Sequence, residues 1–198
     1  SIFELKRDNN ETEVKSLLQT KGDFNFANVK KISTLLNFDI DNIKNIEGKT
    51  DLKIDVDFKL NKNYQIKNLV YLIEGEIPYG EIYFNEKKII KKYLPKNKDI
   101  IILKDSKINL VKTKSSNTIE LNGFMKTYNE FDSFNLKQIY NTKKKTFNVI
   151  AKADLTNSQI NISELNYTKD EGEESEVDFN FNYMPRKYMN ITKFIFQS

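Results

Sequence analysis

Carboxylates and lysines are the side chains with which this sequence could do chemistry, because histidine and cysteine are absent. That removes the commonest general base and the commonest metal ligand, together with thiolate sites and disulfides. Triads built on histidine and cysteine nucleophiles are excluded. Asp55/Asp57 and Glu74/Glu76 are acid pairs at two-residue spacing, which puts both members on one face of a strand, as an acid/base pair requires. Yet Asp55 and Asp57 flank Val56 in a regularly alternating segment, where a carboxylate needs no reason beyond solvation. The run Asp170-Glu171-Gly172-Glu173-Glu174-Ser175-Glu176 gathers the oxygens a hard cation would want. It lacks the alternate-residue spacing of a calcium loop, and a solvated hairpin turn is the simpler reading. Glycine is too scarce for a phosphate-cradling loop. The expectation is a non-enzyme with no catalytic residues, no cofactor and no metal.

Two basic clusters remain, Lys87-Lys88-Ile89-Ile90-Lys91-Lys92 and Lys143-Lys144-Lys145, with Tyr83, Phe84, Tyr93 and Phe147 nearby. Such clusters can meet anionic head groups or phosphates, but lysine at sheet edges also blocks edge-to-edge pairing. A net charge of +4, from 32 basic against 28 acidic side chains, is too even for a dedicated nucleic-acid binder, so no nucleic-acid partner is expected.

The elements that must carry these residues are strands. In Asp51 to Leu60 the side chains of Leu52, Ile54, Val56, Phe58 and Leu60 point one way and every opposite position is charged. Glu176 to Tyr183 repeats the pattern with Val177, Phe179, Phe181 and Tyr183. Weaker alternation continues through Tyr64 to Ile77, Tyr79 to Phe84, Ile100 to Leu103, Ile108 to Lys112, Thr118 to Phe124, Phe134 to Tyr140, Thr146 to Ala153 and Gln159 to Leu165. Turn residues separate these runs at Asn61-Lys62-Asn63, Pro78-Tyr79-Gly80, Pro95-Lys96-Asn97, Ser115-Ser116-Asn117 and Asn141-Thr142-Lys143. Val29, Ile32, Leu35 and Leu36 favour one short helix over 28–38. Thr12 to Leu18 fits either state. The spacing predicts a mainly β chain, an antiparallel meander in one continuous segment over 1–198, with no linker dividing it. Both a closed sandwich core and an open curved sheet require the same stripes.

The stretch Ala153 to Glu173 resembles a recurring passage of the AsmA-like superfamily, particularly its YhdP branch, in which a strand opening on Asp-Leu-Thr leads to an aromatic residue, a lysine and a Gly-Glu turn. The matching positions are Asp154, Leu155, Thr156, Ile160, Ile162, Leu165, Tyr167, Lys169, Gly172 and Glu173. Where the family carries Trp and Pro, this chain has Tyr167 and Asp170. A looser echo runs from Phe24 through Leu35-Leu36 and Ile46-Glu47-Gly48 to the strand from Asp51. The resemblance implies an excerpt of a longer, repetitive periplasmic protein, anchored to the bacterial inner membrane by a segment outside this chain. It implies a curved, partly open β-groove carrying phospholipid or another acyl-chain lipid between envelope membranes, with envelope proteins as further partners. Leu52, Ile54, Val56, Phe58, Leu60, Val177, Phe179, Phe181 and Tyr183 would then face the groove. The alternative is a structural or adhesive β-module with a closed core and no ligand.

Overall fold

The computed structural model describes the chain except residues 9–10, 37–39, 41–42, 86–92, 98, 164–165 and 198, and the side chains of 35–36. Its elements are β1 (Ile2–Arg7), β2 (Glu11–Asn25), α1 (Phe26–Leu36), β3 (Ile43–Asn61), β4 (Ile66–Phe84), β5 (Ile100–Lys112), β6 (Ser116–Lys126), β7 (Phe131–Asn141), β8 (Thr146–Asp154), β9 (Ile160–Ile162), β10 (Tyr167–Lys169), β11 (Glu176–Met184) and β12 (Tyr188–Gln197). Ten of the strands form one antiparallel sheet in the order β1-β2-β3-β4-β5-β6-β7-β8-β11-β12, which ends in two free edges and does not close into a barrel. Only β9 and β10 leave it, as a separate two-stranded pair inserted between β8 and β11.

The mainly β meander and the short helix α1 agree with the alternation and the one helical period in the sequence. The strands are longer than the alternation suggests. Tyr64 to Ile77 and Tyr79 to Phe84 join into β4, straight through the expected turn at Pro78. Proline is tolerated there because the ladder is irregular on both sides: the β3–β4 register shifts between Lys49 and Asp51, and Asp105 opposite takes a positive φ of 45°. The Thr50 hydroxyl bonds the Glu76 carbonyl at 3.2 Å in the same gap. The Asp105 bulge likewise joins the two runs on either side of it into β5.

Two further differences concern the C-terminal third. Ile160–Ile162 pairs with Tyr167–Lys169, so the hairpin closes between these strands and not at Gly172, while β11 returns to β8. The last strand, β12, carries weaker alternation because a register shift beside Phe181 breaks its period. The N-terminal residues, ambiguous in sequence, are the strands β1 and β2.

Apart from the small β9–β10 pair beside β12, no second sheet lies over either face among the described residues, yet one face is the more sheltered. In β3, Leu52, Ile54 and Val56 are half-buried while Lys53 and Asp55 are exposed; in β5, Leu103 and Leu110 are buried while Lys104 and Lys107 are exposed. The sheet therefore curls toward its apolar side. Bulges sharpen the curl, and Gly123 marks one of them: it adopts φ +153° and lies so close to Ser106 that a Cβ would sit 2.4 Å from the serine hydroxyl. Gly48 does similar service, leaving room for the Phe24 ring, which a Cβ would meet at 2.8 Å.

The connections differ at the two ends of the strands. At one end lie the long ones, residues 26–42, 85–99 and 155–175, together with 127–130. At the other end are short turns, at 62–65, 113–115, 142–145 and 185–187.

Candidate functional site

The two stripes identified in sequence lie on the same concave face. Register links them across the sheet: Leu52 leads through Gly75, Ile108, Leu121, Leu136 and Ala151 to Phe179. One step toward the short turns, Ile54 leads through Ile73, Leu110, Ile119, Gln138 and Val149 to Phe181. The stripes do not touch each other, because β4 to β8 lie between them. They are the two flanks of one apolar surface whose middle the sequence showed only weakly.

All nine expected groove residues, Leu52, Ile54, Val56, Phe58, Leu60, Val177, Phe179, Phe181 and Tyr183, are half-buried. Residues enclosed between two packed sheets would be buried outright. Among the described residues no layer covers the middle of this face: α1 touches β2 and β3, and the β9–β10 pair meets it only at the β12 corner through Tyr167 and Phe196. The aromatic flank is organised ring by ring. Phe179 and Phe181 lie 4.9 Å apart, Phe181 and Tyr183 5.7 Å, and Tyr183 stacks on Phe147 at 4.7 Å, which in turn meets Tyr140 at 4.6 Å.

The opposite face is polar and laced by cross-strand ion pairs, Lys137 with Glu120, Lys152 with Glu176 and Lys193 with Asp178. Asp55 and Asp57 belong to it, beside Lys15 in a shallow depression. Glu81 accepts hydrogen bonds from the Tyr79 and Tyr83 hydroxyls on an exposed strand surface. The carboxylate holds Tyr83 in its protonated form and pushes its pKa up to about 12, and the same bonds lower that of Glu81. No cleft brings these acids to a common reacting atom. The acidic run from Asp170 is divided among separate partners: Glu171 accepts from Asn129 at 2.9 Å and faces Lys96 at 3.4 Å, while Glu176 pairs with Lys152. Among the described residues no cluster of acids has the arrangement of a metal site. The Lys87 to Lys92 cluster lies outside the described residues.

The Asp154 to Gly172 motif builds a hydrogen-bonded knot at the long-connection end. Asp154 accepts from the Thr156 amide at 2.9 Å and its hydroxyl at 2.7 Å, fixing the exit from β8. Lys169 is fully buried and divides its ammonium hydrogens among the carbonyls of Leu155, Thr156, Ser158 and Asp170, at 2.8 to 3.0 Å. Burial pushes its pKa down; Glu173, then Asp132, Asp154 and Asp170, pull it back, and the four carbonyls require the ammonium form. Gly172, at φ +91°, donates its amide to the Thr156 carbonyl. Leu165 lies outside the described residues. Asp132 completes the knot from β7, accepting from the Asn157 amide at 3.0 Å and from the Ser158 hydroxyl at 3.3 Å. Nothing local in the sequence marks Asp132, because its partners lie 25 and 26 residues away. Tyr167 meets Phe196 edge-on at 5.3 Å, seating β9 and β10 against the apolar face beside β12.

Comparison with family models, curated proteins and solved structures gives no match. The site therefore speaks through its own chemistry. It is a broad apolar surface with a polar back. No described helix is long and apolar enough to cross a membrane.

Proposed function

We propose that this chain is a lipid-holding segment of a bacterial envelope protein, whose concave face shields acyl chains during transport between the inner and outer membranes. The observation that carries the proposal is an apolar sheet face that is half-buried over its middle strands, exposed at Phe3, Leu5, Ile191 and Phe194 on the edge strands, and met only at one corner by β9 and β10 among the described residues. Contiguous apolar surface of this extent normally has an occupant. A hydrocarbon chain fits because it asks for no directional partner, and each methylene removed from water contributes about 0.8 kcal/mol. The envelope setting, with a membrane anchor outside this segment, is drawn from the resemblance of the Asp154 to Glu173 stretch to AsmA-like proteins. No catalytic step is needed.

Native mass spectrometry of the chain purified without detergent, with solvent extraction and lipid analysis, tests the reading. The expected result is a protein carrying acyl lipid in defined stoichiometry. A chain with a folded β spectrum that never carries lipid would defeat it, as would a stable dimer that covers the face with a second copy.

A further inference from the structure

From β5 to β12 the short turns fall in register, and together they make one basic border. On the apolar face the last row before them runs Lys112, Asn117, Tyr140, Phe147, Tyr183, Met189, each paired with the next across the sheet. Beyond it stand the turns themselves: Lys114 in the first, Lys143 to Lys145 in the second, Arg186 and Lys187 in the third. All six cations are exposed, no acid occurs in residues 113–115, 142–145 or 185–187, and none of the six enters an ion pair among the described residues. The turns are well made. Asn141 Oδ1 accepts from the amides of Lys143 and Lys144, and the Thr142 amide bonds across to the Ser115 carbonyl at 3.0 Å, tying adjacent turns together. Cations are thus held in a line, the turns separated by about two strand spacings, roughly 10 Å.

Moving inward from that border, the concave face changes in order: cations, then the Tyr140, Phe147 and Tyr183 rings, then mainly apolar rows that end in Phe181 and Phe179 and include Gln138. This is the layering of a lipid–water interface, with charge at the phosphate level, amphipathic rings at the boundary and hydrocarbon beneath. A second observation lies on the same side of the concave face, in β2 and β4. The hydroxyls of Ser16 and Tyr71 flank Val56 in register, and both are shut off from solvent without a hydrogen-bond partner. Ser16 is 7% exposed. Desolvation pushes the Tyr71 pKa up to about 12, as a phenol held in dry surroundings requires. Two such donors in the row beside Val56 call for an acceptor on whatever occupies the face.

We propose that the short-turn border is the headgroup side of the groove, where acyl lipids with a net negative headgroup are held head outward against Lys114, Lys143 to Lys145, Arg186 and Lys187. The tails then run from the aromatic row toward the long-connection end, and the Ser16 and Tyr71 hydroxyls donate to polar atoms near the head. Among the described residues at the long-connection border, Lys169 is spent on carbonyls and Lys96 faces Glu171. This deepens the lipid-holding reading and rests on it.

The test loads the purified chain from mixed vesicles of phosphatidylglycerol and phosphatidylcholine with matched acyl chains, at low and at moderate salt, and weighs the lipid it carries. The expected outcome is several-fold enrichment of phosphatidylglycerol, reduced by salt. In the variant Lys143→Gln/Lys144→Gln/Lys145→Gln/Arg186→Gln/Lys187→Gln the ratio should return toward that of the vesicles, while total lipid and the thermal midpoint change little. Lys53→Gln/Lys107→Gln, on the convex face, should leave the ratio alone. Lipid carried with no charge preference, or a preference untouched by the turn substitutions, would overturn the headgroup assignment and leave the lipid-holding function standing. Binding to the vesicle surface with no lipid removed would overturn both.

Discussion

Where β8 leaves for β11, a lysine, an aspartate and two hydroxyl groups are buried and bound to one another's loops; where the strands turn tightly at the other end, lysines and an arginine stand in water with no acid beside them. Both regions use cations, but for opposite purposes. Lys169 has surrendered water and gained four carbonyl partners, so its charge closes a loop and is invisible from outside. Lys143 to Lys145 keep their water and are available to a visitor. Burial and partner count, not residue type, separate a structural charge from a recruiting one.

The contrast can be broken most forcefully at the knot. Lys169→Met leaves buried carbonyls without donors and should cost ~3 kcal/mol or more, read as a lower urea midpoint with faster proteolysis in 155–175. Phe179→Asp probes the open face between the two ends. On a half-buried, uncovered surface it should cost about 1 to 2 kcal/mol and abolish lipid loading, whereas a closed core would unfold outright; circular dichroism and urea titration tell the two apart. Tyr71→Phe sharpens the comparison in the other direction. Removing an unpartnered hydroxyl should stabilise the empty chain by about 1 kcal/mol while weakening the preference for anionic lipid, and a purely structural tyrosine would show the first effect alone.

The smallest effect concerns pH. Burial raises the pKa of Asp132, with the Asn157 and Ser158 hydrogen bonds opposing. A carboxylate whose native pKa is raised stabilises the fold most below its ordinary value of 3.8, and that contribution is lost as pH rises through the native value. Asp132→Asn should therefore flatten the fall in stability just above that pH, measured as urea midpoints between acid and neutral conditions.

Much of the architecture was legible because period-two alternation survives wherever one face is apolar and the other wet. Asp51 to Leu60 and Glu176 to Tyr183 announced themselves in this way. The middle of the groove did not, since Gly75, Ala151 and Gln138 interrupt the stripe without interrupting the surface. Pro78 read as a turn because its lost amide is a local fact, while the bulges that excuse it belong to β3 and β5. The motif around Asp154 and Lys169 was visible as a pattern, but its hydrogen bonds were not, because Asp132 comes from β7. The basic border was half visible: Lys143 to Lys145 stood out as a run, whereas Lys114, Arg186 and Lys187 join them only through register.

The order of the sheet also bears on how the chain reaches this form. Apart from β8 with β11, every ladder joins strands consecutive in sequence. Most pairings therefore close a short loop, at little entropic cost, and can form as separate hairpins that then zip together. The excursion through 155–175 is different, since β11 must wait for it to fold back before meeting β8. The buried Lys169 ties that excursion together, so the β8–β11 ladder is the one that must close the longer loop.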